Sequence, residues 1–246
     1  MLHPGPSRCA ALFLIGGLTL VAGTAACSGG IEPTVLAPTT FAITTLPSID
    51  EILSDKTLGS ASAPNQIIEY VSFANAASAA FHLQILPQLK TQYADTQRAQ
   101  IAFRNLFVVN ETVNAALLAR CAGNARFFDA ADTIFRSQAT WATASNPDTA
   151  VGQVMLGFGM SPSVQTACTG NTTLQAGVVK IFQDALTATY LLPDGTQRVP
   201  GPGGNSIVAV PAIIVNGVLL DGTNAADGSP NPVFAPTLAN IQQFLK

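Results

Sequence analysis

The chain has 246 residues, of which 48% are hydrophobic and only 10% are charged. This composition excludes a disordered solvating chain and predicts one domain of ordinary size or two small ones. The formal net charge is −3 and the Lys and Arg residues are scattered singly, so we expect no nucleic-acid partner. Two histidines and four widely spaced cysteines are too few ligands for a structural zinc site. We predict neither a metal nor a cofactor.

Residues 1–26 have the layout of a secretory signal peptide. One positive charge, Arg8, precedes an uncharged apolar run over residues 10–26 that ends in small residues. The alternative is a membrane-spanning helix, but the run is at the short limit for a span and is interrupted by glycines.

Cys27 follows this run directly. Thr24-Ala25-Ala26-Cys27 resembles a bacterial lipobox, in which the cysteine is diacylated and becomes the new N-terminus. Ordinary signal-peptide cleavage at the same bond is the alternative, because Thr24 stands where Leu is usual. A free cysteine at a mature N-terminus would be reactive in an oxidising compartment, which favours lipidation. We therefore predict lipidation of Cys27 and a lipid anchor to a bacterial envelope membrane.

The composition then shifts to Pro, Thr, Ser and Gly. Residues 27–56 read as a flexible tether, in which residues 50–56 could form one helical turn. The folded domain is predicted to occupy residues 57–246.

Hydrophobic periodicity divides this domain into three parts. A strand at 66–72, a helix at 75–93 with a kink at Pro87, and a strand at 101–109 form a predicted βαβ unit with parallel strands. A helical block of about residues 110–190 follows.

Two strands and a helix are predicted to complete the domain after the loop 192–205. Asn216-Gly217 indicates a hairpin turn joining strands 212–215 and 218–220. After the loop 221–232, a last helix at 234–246 should face inward with Leu238, Ile241, Phe244 and Leu245.

The element order β-α-β, helical block, β-β-α is that of an α/β thioredoxin fold with a helical insertion domain. Over residues 57–246 the chain also resembles the DsbA family of disulfide oxidoreductases. The resemblance implies an oxidising periplasmic setting and a cis bond between Val210 and Pro211. It is carried by Leu58-Gly59, Ala63-Pro64, Ile68-Glu69-Tyr70, Phe81-His82, Leu86-Pro87, Arg104, Val210-Pro211 and Asn216-Gly217.

The main departure from the family lies at the start of the first helix. Where the family carries Cys-Pro-His-Cys or a similar quartet, this chain has Asn75-Ala76-Ala77-Ser78. An amide and a hydroxyl cannot form a mixed disulfide, so dithiol exchange is impossible at this position. A slipped alignment is the alternative, but no two cysteines lie three residues apart. A glutathione-transferase relative is also conceivable, yet its serine would stand at the position of Asn75.

Three further interpretations depend on the resemblance. It implies a structural disulfide between Cys121 and Cys168. The alternative is that these two cysteines form a displaced redox pair. Glu69, which the family keeps as a proton relay below the active site, is interpreted as a relic that is paired or linked to water. His82 is interpreted as a packed or capping residue rather than a ligand.

Two functions remain open. One is a redox-inactive module that binds an extended peptide or an envelope protein in the groove beside Val210 and Pro211, through main-chain hydrogen bonds. The other is a thiol-disulfide oxidoreductase or isomerase. The missing cysteines favour the binding module.

Overall fold

The structure is a computed structural model that describes residues 42–107, 113–200, 205–224 and 229–246. The predicted signal peptide, Cys27 and residues 27–41 of the predicted tether lie outside the described residues. The described residues contain seven strands, in chain order β1 Lys56–Leu58, β2 Asn65–Val71, β3 Ala99–Asn105, β4 Tyr190–Leu191, β5 Gln197–Arg198, β6 Ala212–Val215 and β7 Val218–Leu220.

The described residues also contain ten α-helical segments. These are α1 Ile49–Leu53, α2 Ala76–Ala80, α3 Leu86–Leu89, α4 Val113–Cys121, α5 Phe127–Arg136, α6 Gln138–Trp141, α7 Pro147–Phe158, α8 Pro162–Thr169, α9 Thr172–Thr187 and α10 Leu238–Gln242. The π-helical segment Phe81–Ile85 joins α2 to α3, and a second π-helical segment, Lys90–Ala94, extends this helical rod beyond α3. Pro232–Phe234 forms a 3₁₀ turn.

The seven strands form one sheet in the order β1-β3-β2-β6-β7-β4-β5. β2 and β3 pair in parallel, with Ile67 opposite Ile101, as the predicted βαβ unit requires. β6 and β7 form the predicted antiparallel hairpin, and both turn residues, Asn216 and Gly217, have positive φ, as a type I′ turn demands. The fold is the predicted α/β thioredoxin fold.

Two predicted elements are longer than the observed ones. β3 ends at Asn105, and residues 108–112 lie outside the described residues. The last helix is only α10, because Pro236 precedes it and Thr237 caps it by accepting the Asn240 N–H. Its predicted inward face is correct: Ile241 is buried, and Leu238, Phe244 and Leu245 pack around the same core.

The predicted kink at Pro87 takes a different form. Pro87 occupies the first turn of α3, directly after the π-helical segment Phe81–Ile85. At the end of this segment the Leu86 N–H donates to the Phe81 carbonyl, five residues back. The rod is therefore widened by a π-turn before the proline and continues past it.

The predicted flexible tether does not hold for residues 42–56. Ile43 forms a bridge to Met160, and Ile52 is fully buried. Arg120 of α4 donates to the carbonyls of Ile52 and Ser54, at 3.1 Å each. The sequence is mostly polar here, but its few apolar side chains pack on the helices α4–α9. Because these helices are distant in the sequence, the pattern within the segment could not predict this packing. The predicted helical turn is present as α1.

Helices α4–α9 lie between β3 and β4 in the sequence and share one core with Val71 of β2 and Phe103 of β3. Phe127, Phe135 and Trp141 are almost completely buried in it. Cys121 of α4 and Cys168 of α8 form the predicted disulfide, with an S–S distance of 2.03 Å.

Candidate functional site

The quartet Asn75-Ala76-Ala77-Ser78 lies at the start of the helical rod, shortly after the end of β2. Asn75 is the N-cap of α2, and its Oδ1 accepts the Ser78 N–H at 2.8 Å. Ser78 is fully buried, and its Oγ accepts the Ser72 N–H at 3.3 Å. Both polar side chains of the quartet are thus engaged in holding the backbone.

The helical block fixes the same turn from outside. Gln138 of α6 donates from Nε2 to the carbonyl of Phe73 at 2.6 Å and to that of Asn75 at 3.0 Å. The sequence did not predict this role of Gln138. A glutamine in a short helix belongs to no motif that would indicate a hydrogen-bond partner 63 residues away.

Pro211 meets this turn across a shallow cavity of about 300 Å³. The Val210–Pro211 peptide bond is cis. The structure therefore brings the predicted quartet and the predicted proline together. The cavity is lined by Ala77, Ala80, Phe81, Gln84, Ile85, Pro211, Pro236 and Thr237.

A second cavity, of about 370 Å³, adjoins Val210. Its walls come from the end of β3, from α9 and from the segment that leads to Pro211. Among the described residues, neither this cavity nor the one at Pro211 has a charged lining residue. The second cavity is lined by Leu106, Phe107, Phe182, Leu186, Asn205, Ile207, Val208, Ala209 and Val210.

No sulfur atom serves this site within the described part of the chain. Cys121 and Cys168 are both completely buried in the helical core and are bonded to each other. Burial among apolar side chains makes a cysteine inert rather than reactive, so the geometry favours the structural interpretation of this pair over a displaced redox pair.

A buried ionic cluster lies on the core side of the rod. His82 Nδ1 is 3.1 Å from Glu69 Oε1, and His82 Nε2 is 3.0 Å from Asp132 Oδ1. Glu69 and His82 are fully buried, whereas the Asp132 side chain is 45% exposed. The rings of Phe103 and Phe135 flank the imidazole. His82 is therefore packed, and Glu69 is paired, as predicted, but the sequence did not reveal Asp132.

Electrostatics in this cluster favour the imidazolium. Burial opposes the charge of His82, but the carboxylates of Glu69 and Asp132 outweigh it and raise the pKa of His82 to about 9. The second carboxylate oxygen of Glu69 has no hydrogen-bond partner among the described residues. His82 also lines a cavity of about 240 Å³, together with Lys90, Asp129 and Asp132.

Two features are absent from the described residues. No group of three or more His, Cys, Asp or Glu side chains there is placed to hold a metal ion. No helix in the same residues is long and apolar enough to cross a membrane.

Comparison with known proteins defines the class. Residues 53–229 match the family model described as thioredoxin. The chain therefore belongs to the thioredoxin family.

The matched relatives and structures are distant. A Rickettsia prowazekii protein named "Putative protein-disulfide oxidoreductase" is 28% identical over 169 residues, which cover 67% of this chain and 55% of that protein. A Rickettsia typhi protein of the same description is 28% identical over 72% of this chain and 60% of its own length. The chain thus spans little more than half of these curated relatives.

Solved structures show the same fold. The crystal structure of Wolbachia pipientis alpha-DsbA1 superposes with a TM-score of 0.57 at 19% identity, covering 77% of this chain and 88% of that one. Chlamydia trachomatis DsbA gives a TM-score of 0.57 at 16% identity, covering 84% and 94%.

Proposed function

We propose that this protein binds an extended polypeptide segment beside Pro211 without any thiol chemistry. One observation carries the proposal: uncharged, largely apolar cavities adjoin Val210 and Pro211, while the residues at the family's redox positions are Asn75 and Ser78. A chain laid along such a surface can be held by main-chain hydrogen bonds and apolar side-chain contacts. Neither requires sulfur.

The state of the quartet supports binding rather than catalysis. Asn75 Oδ1 is used by the Ser78 N–H, and Ser78 Oγ is buried and bonded to the Ser72 N–H. Neither oxygen is placed to attack a bound chain. Ala76 and Ala77 are exposed, so this rim of the groove consists of methyl groups and backbone.

The names of the Rickettsia relatives favour a second function, thiol-disulfide exchange. The exchange needs a thiolate that attacks a disulfide. Reduction of insulin by the purified protein, measured as turbidity, separates the two functions: no rate above buffer is expected, and a rate above buffer would overturn the binding proposal.

Binding itself is tested with a fluorescein-labelled ten-residue peptide that is apolar at alternate positions and contains no cysteine. Ala80 lines the groove in α2, and the replacement Ala80→Glu places a charge in an uncharged surface, so we expect at least tenfold weaker binding by fluorescence anisotropy. The matched control is Ala176→Glu, an exposed alanine of α9 that lines none of the cavities described. Equal affinities of the two variants would contradict the proposal.

We also propose that the protein works in a bacterial envelope, anchored by lipid on Cys27. The sequence Thr24-Ala25-Ala26-Cys27 supports this location, as does a buried disulfide, a bond that persists in oxidising compartments. Replacing Cys27 by Ala should move the protein from the membrane fraction to the soluble periplasm, because two acyl chains are enough for stable anchoring. Unchanged membrane partitioning of the variant would show that the apolar run itself is the anchor.

A further inference from the structure

A larger cavity, of about 460 Å³, lies elsewhere on the sheet and shares no lining residue with the two cavities beside Pro211. Its floor contains Ile68 of β2, Arg104 of β3 and Ile214 of β6. The last turn of α9 and Tyr190 of β4 form another wall. The volume falls within the range of small-molecule sites, about 300–1,000 Å³.

The polar groups of this cavity are built into the fold. Arg104 donates from Nε and Nη2 to the two carboxylate oxygens of Asp55, at 2.9 and 2.7 Å, and from Nη1 to the Tyr70 hydroxyl at 2.9 Å. Tyr70 is 3% exposed. A guanidinium has five N–H groups, so these bonds leave two for an acceptor inside the cavity.

A second carboxylate stands at the mouth. Asp184 of α9 lines the cavity and pairs with Lys180 at 2.7 Å, but both side chains are about two-thirds exposed. An exposed pair of this kind contributes little and is easily rearranged. Asp184 can therefore accept a cation from a ligand at small cost.

The remaining walls are apolar. Ile68, Ile181 and Ile214 line the interior together with Ala185 and Ala188. A simple anion would face Asp55 and Asp184, and a simple cation would face Arg104. A neutral molecule with one charge of each sign and an apolar body matches the lining better than either.

We propose that this cavity binds a small zwitterion with apolar side chains, of dipeptide size. Its carboxylate meets Arg104, its ammonium group meets Asp184 or Asp55, and its side chains contact the isoleucines. This site is separate from the peptide groove at Pro211 and does not depend on the proposed function.

The test uses the full chain and three probes in isothermal titration calorimetry. Leucyl-leucine is the zwitterion, N-acetyl-leucyl-leucine lacks the ammonium group, and leucyl-leucinamide lacks the carboxylate. We expect the zwitterion to bind at least tenfold more tightly than either capped probe. Capped probes that bind equally well, or no binding of leucyl-leucine at millimolar concentration, would overturn the proposal.

Matched variants locate the binding. Ala188 lines the cavity in extended backbone at the end of α9, so Ala188→Phe fills the space without breaking a helix. Thr187→Phe adds the same ring one residue earlier, outside the lining. We expect the first variant to lose at least tenfold in affinity for leucyl-leucine and the second to retain it. Equal affinities would show that the dipeptide binds elsewhere.

Arg104 provides the chemical check. In Arg104→Gln, affinity for leucyl-leucine should fall at least fivefold, whereas affinity for leucyl-leucinamide, which has no carboxylate, should not fall. An equal loss for both probes would indicate a structural role for Arg104 and contradict its assignment to the ligand carboxylate.

Discussion

The start of α2 and the ionic cluster beneath it differ in the charge of their polar side chains. At the start of α2, the half-buried Asn75 and the fully buried Ser78 are neutral, and both hydrogen-bond to the backbone. In the core, Glu69 and His82 form a fully buried ionic contact that reaches the half-exposed Asp132. A chain can lose exposed reactive groups at little cost to its stability, whereas a buried charge keeps its partner because an unpaired one is expensive. Each member of the buried pair is therefore needed for stability, whether or not the pair takes part in any chemistry.

The strongest test of this contrast introduces sulfur at the start of α2. In the double variant Asn75→Cys with Ser78→Cys, the two thiols stand three residues apart at the beginning of the rod. We expect them to close a reversible disulfide under mild oxidation, taking the number of labelled thiols at positions 75 and 78 of the folded protein from two to none. Thiol labelling followed by mass spectrometry measures this, with each single variant as a control. Two thiols that stay free in a folded protein would mean that the family's redox positions lie elsewhere.

Breaking the buried pair should cost several kcal/mol. His82→Ala leaves the buried Glu69 carboxyl without its partner, and the free energy of unfolding should fall by about 3–5 kcal/mol. Urea unfolding at pH 7, followed by circular dichroism, measures the loss. The variant Asp132→Asn keeps a hydrogen-bonding group at the exposed end and should lose much less. Similar losses in the two variants would show that burial does not decide the cost.

The pH dependence of stability gives an independent measure of the same pair. The folded-state pKa of His82 is raised to about 9, above its ordinary value of 6.5. Its stabilising contribution is therefore fully present below about pH 6.5 and disappears as the pH rises through 9. Between pH 6.5 and 10 we expect the free energy of unfolding to fall by up to about 3 kcal/mol.

The control for this pH dependence is His82→Gln. This variant has no imidazole at position 82, so the imidazole's contribution to the slope of the free energy of unfolding against pH is absent. A wild-type protein with the same slope as His82→Gln would contradict the assignment of a raised pKa to His82.

The smallest effect concerns the surface turn. Asn75→Ala removes the N-cap of α2, whose replacement by alanine costs about 1 kcal/mol in other helices. Asn146→Ala removes the corresponding cap of α7, where Asn146 Oδ1 accepts the Thr149 N–H at 3.0 Å, and should cost a similar amount. If Asn75→Ala were much more harmful than Asn146→Ala, the asparagine would have a role beyond capping.

Local sequence pattern was sufficient for the parts of the molecule whose contacts are close in sequence or strictly periodic. The β-branched and aromatic run at residues 66–72, the Asn216-Gly217 turn and the inward face of Leu238, Ile241, Phe244 and Leu245 each depend on the backbone geometry of one element. The absence of a cysteine pair at residues 75 and 78 is also a fact of the sequence alone. These features predicted the fold and excluded dithiol exchange at that position.

Tertiary structure alone decided which distant side chains meet. Asp132 reaches His82 across 50 residues, Gln138 holds the turn at Asn75, and Arg120 ties residues 52 and 54 to the helical block. None of these contacts leaves a periodic signal, because each joins one side chain to a partner on another element. The cavity at Arg104 arises in the same way, from five segments that are separate in the sequence and converge only when α9 packs against the sheet.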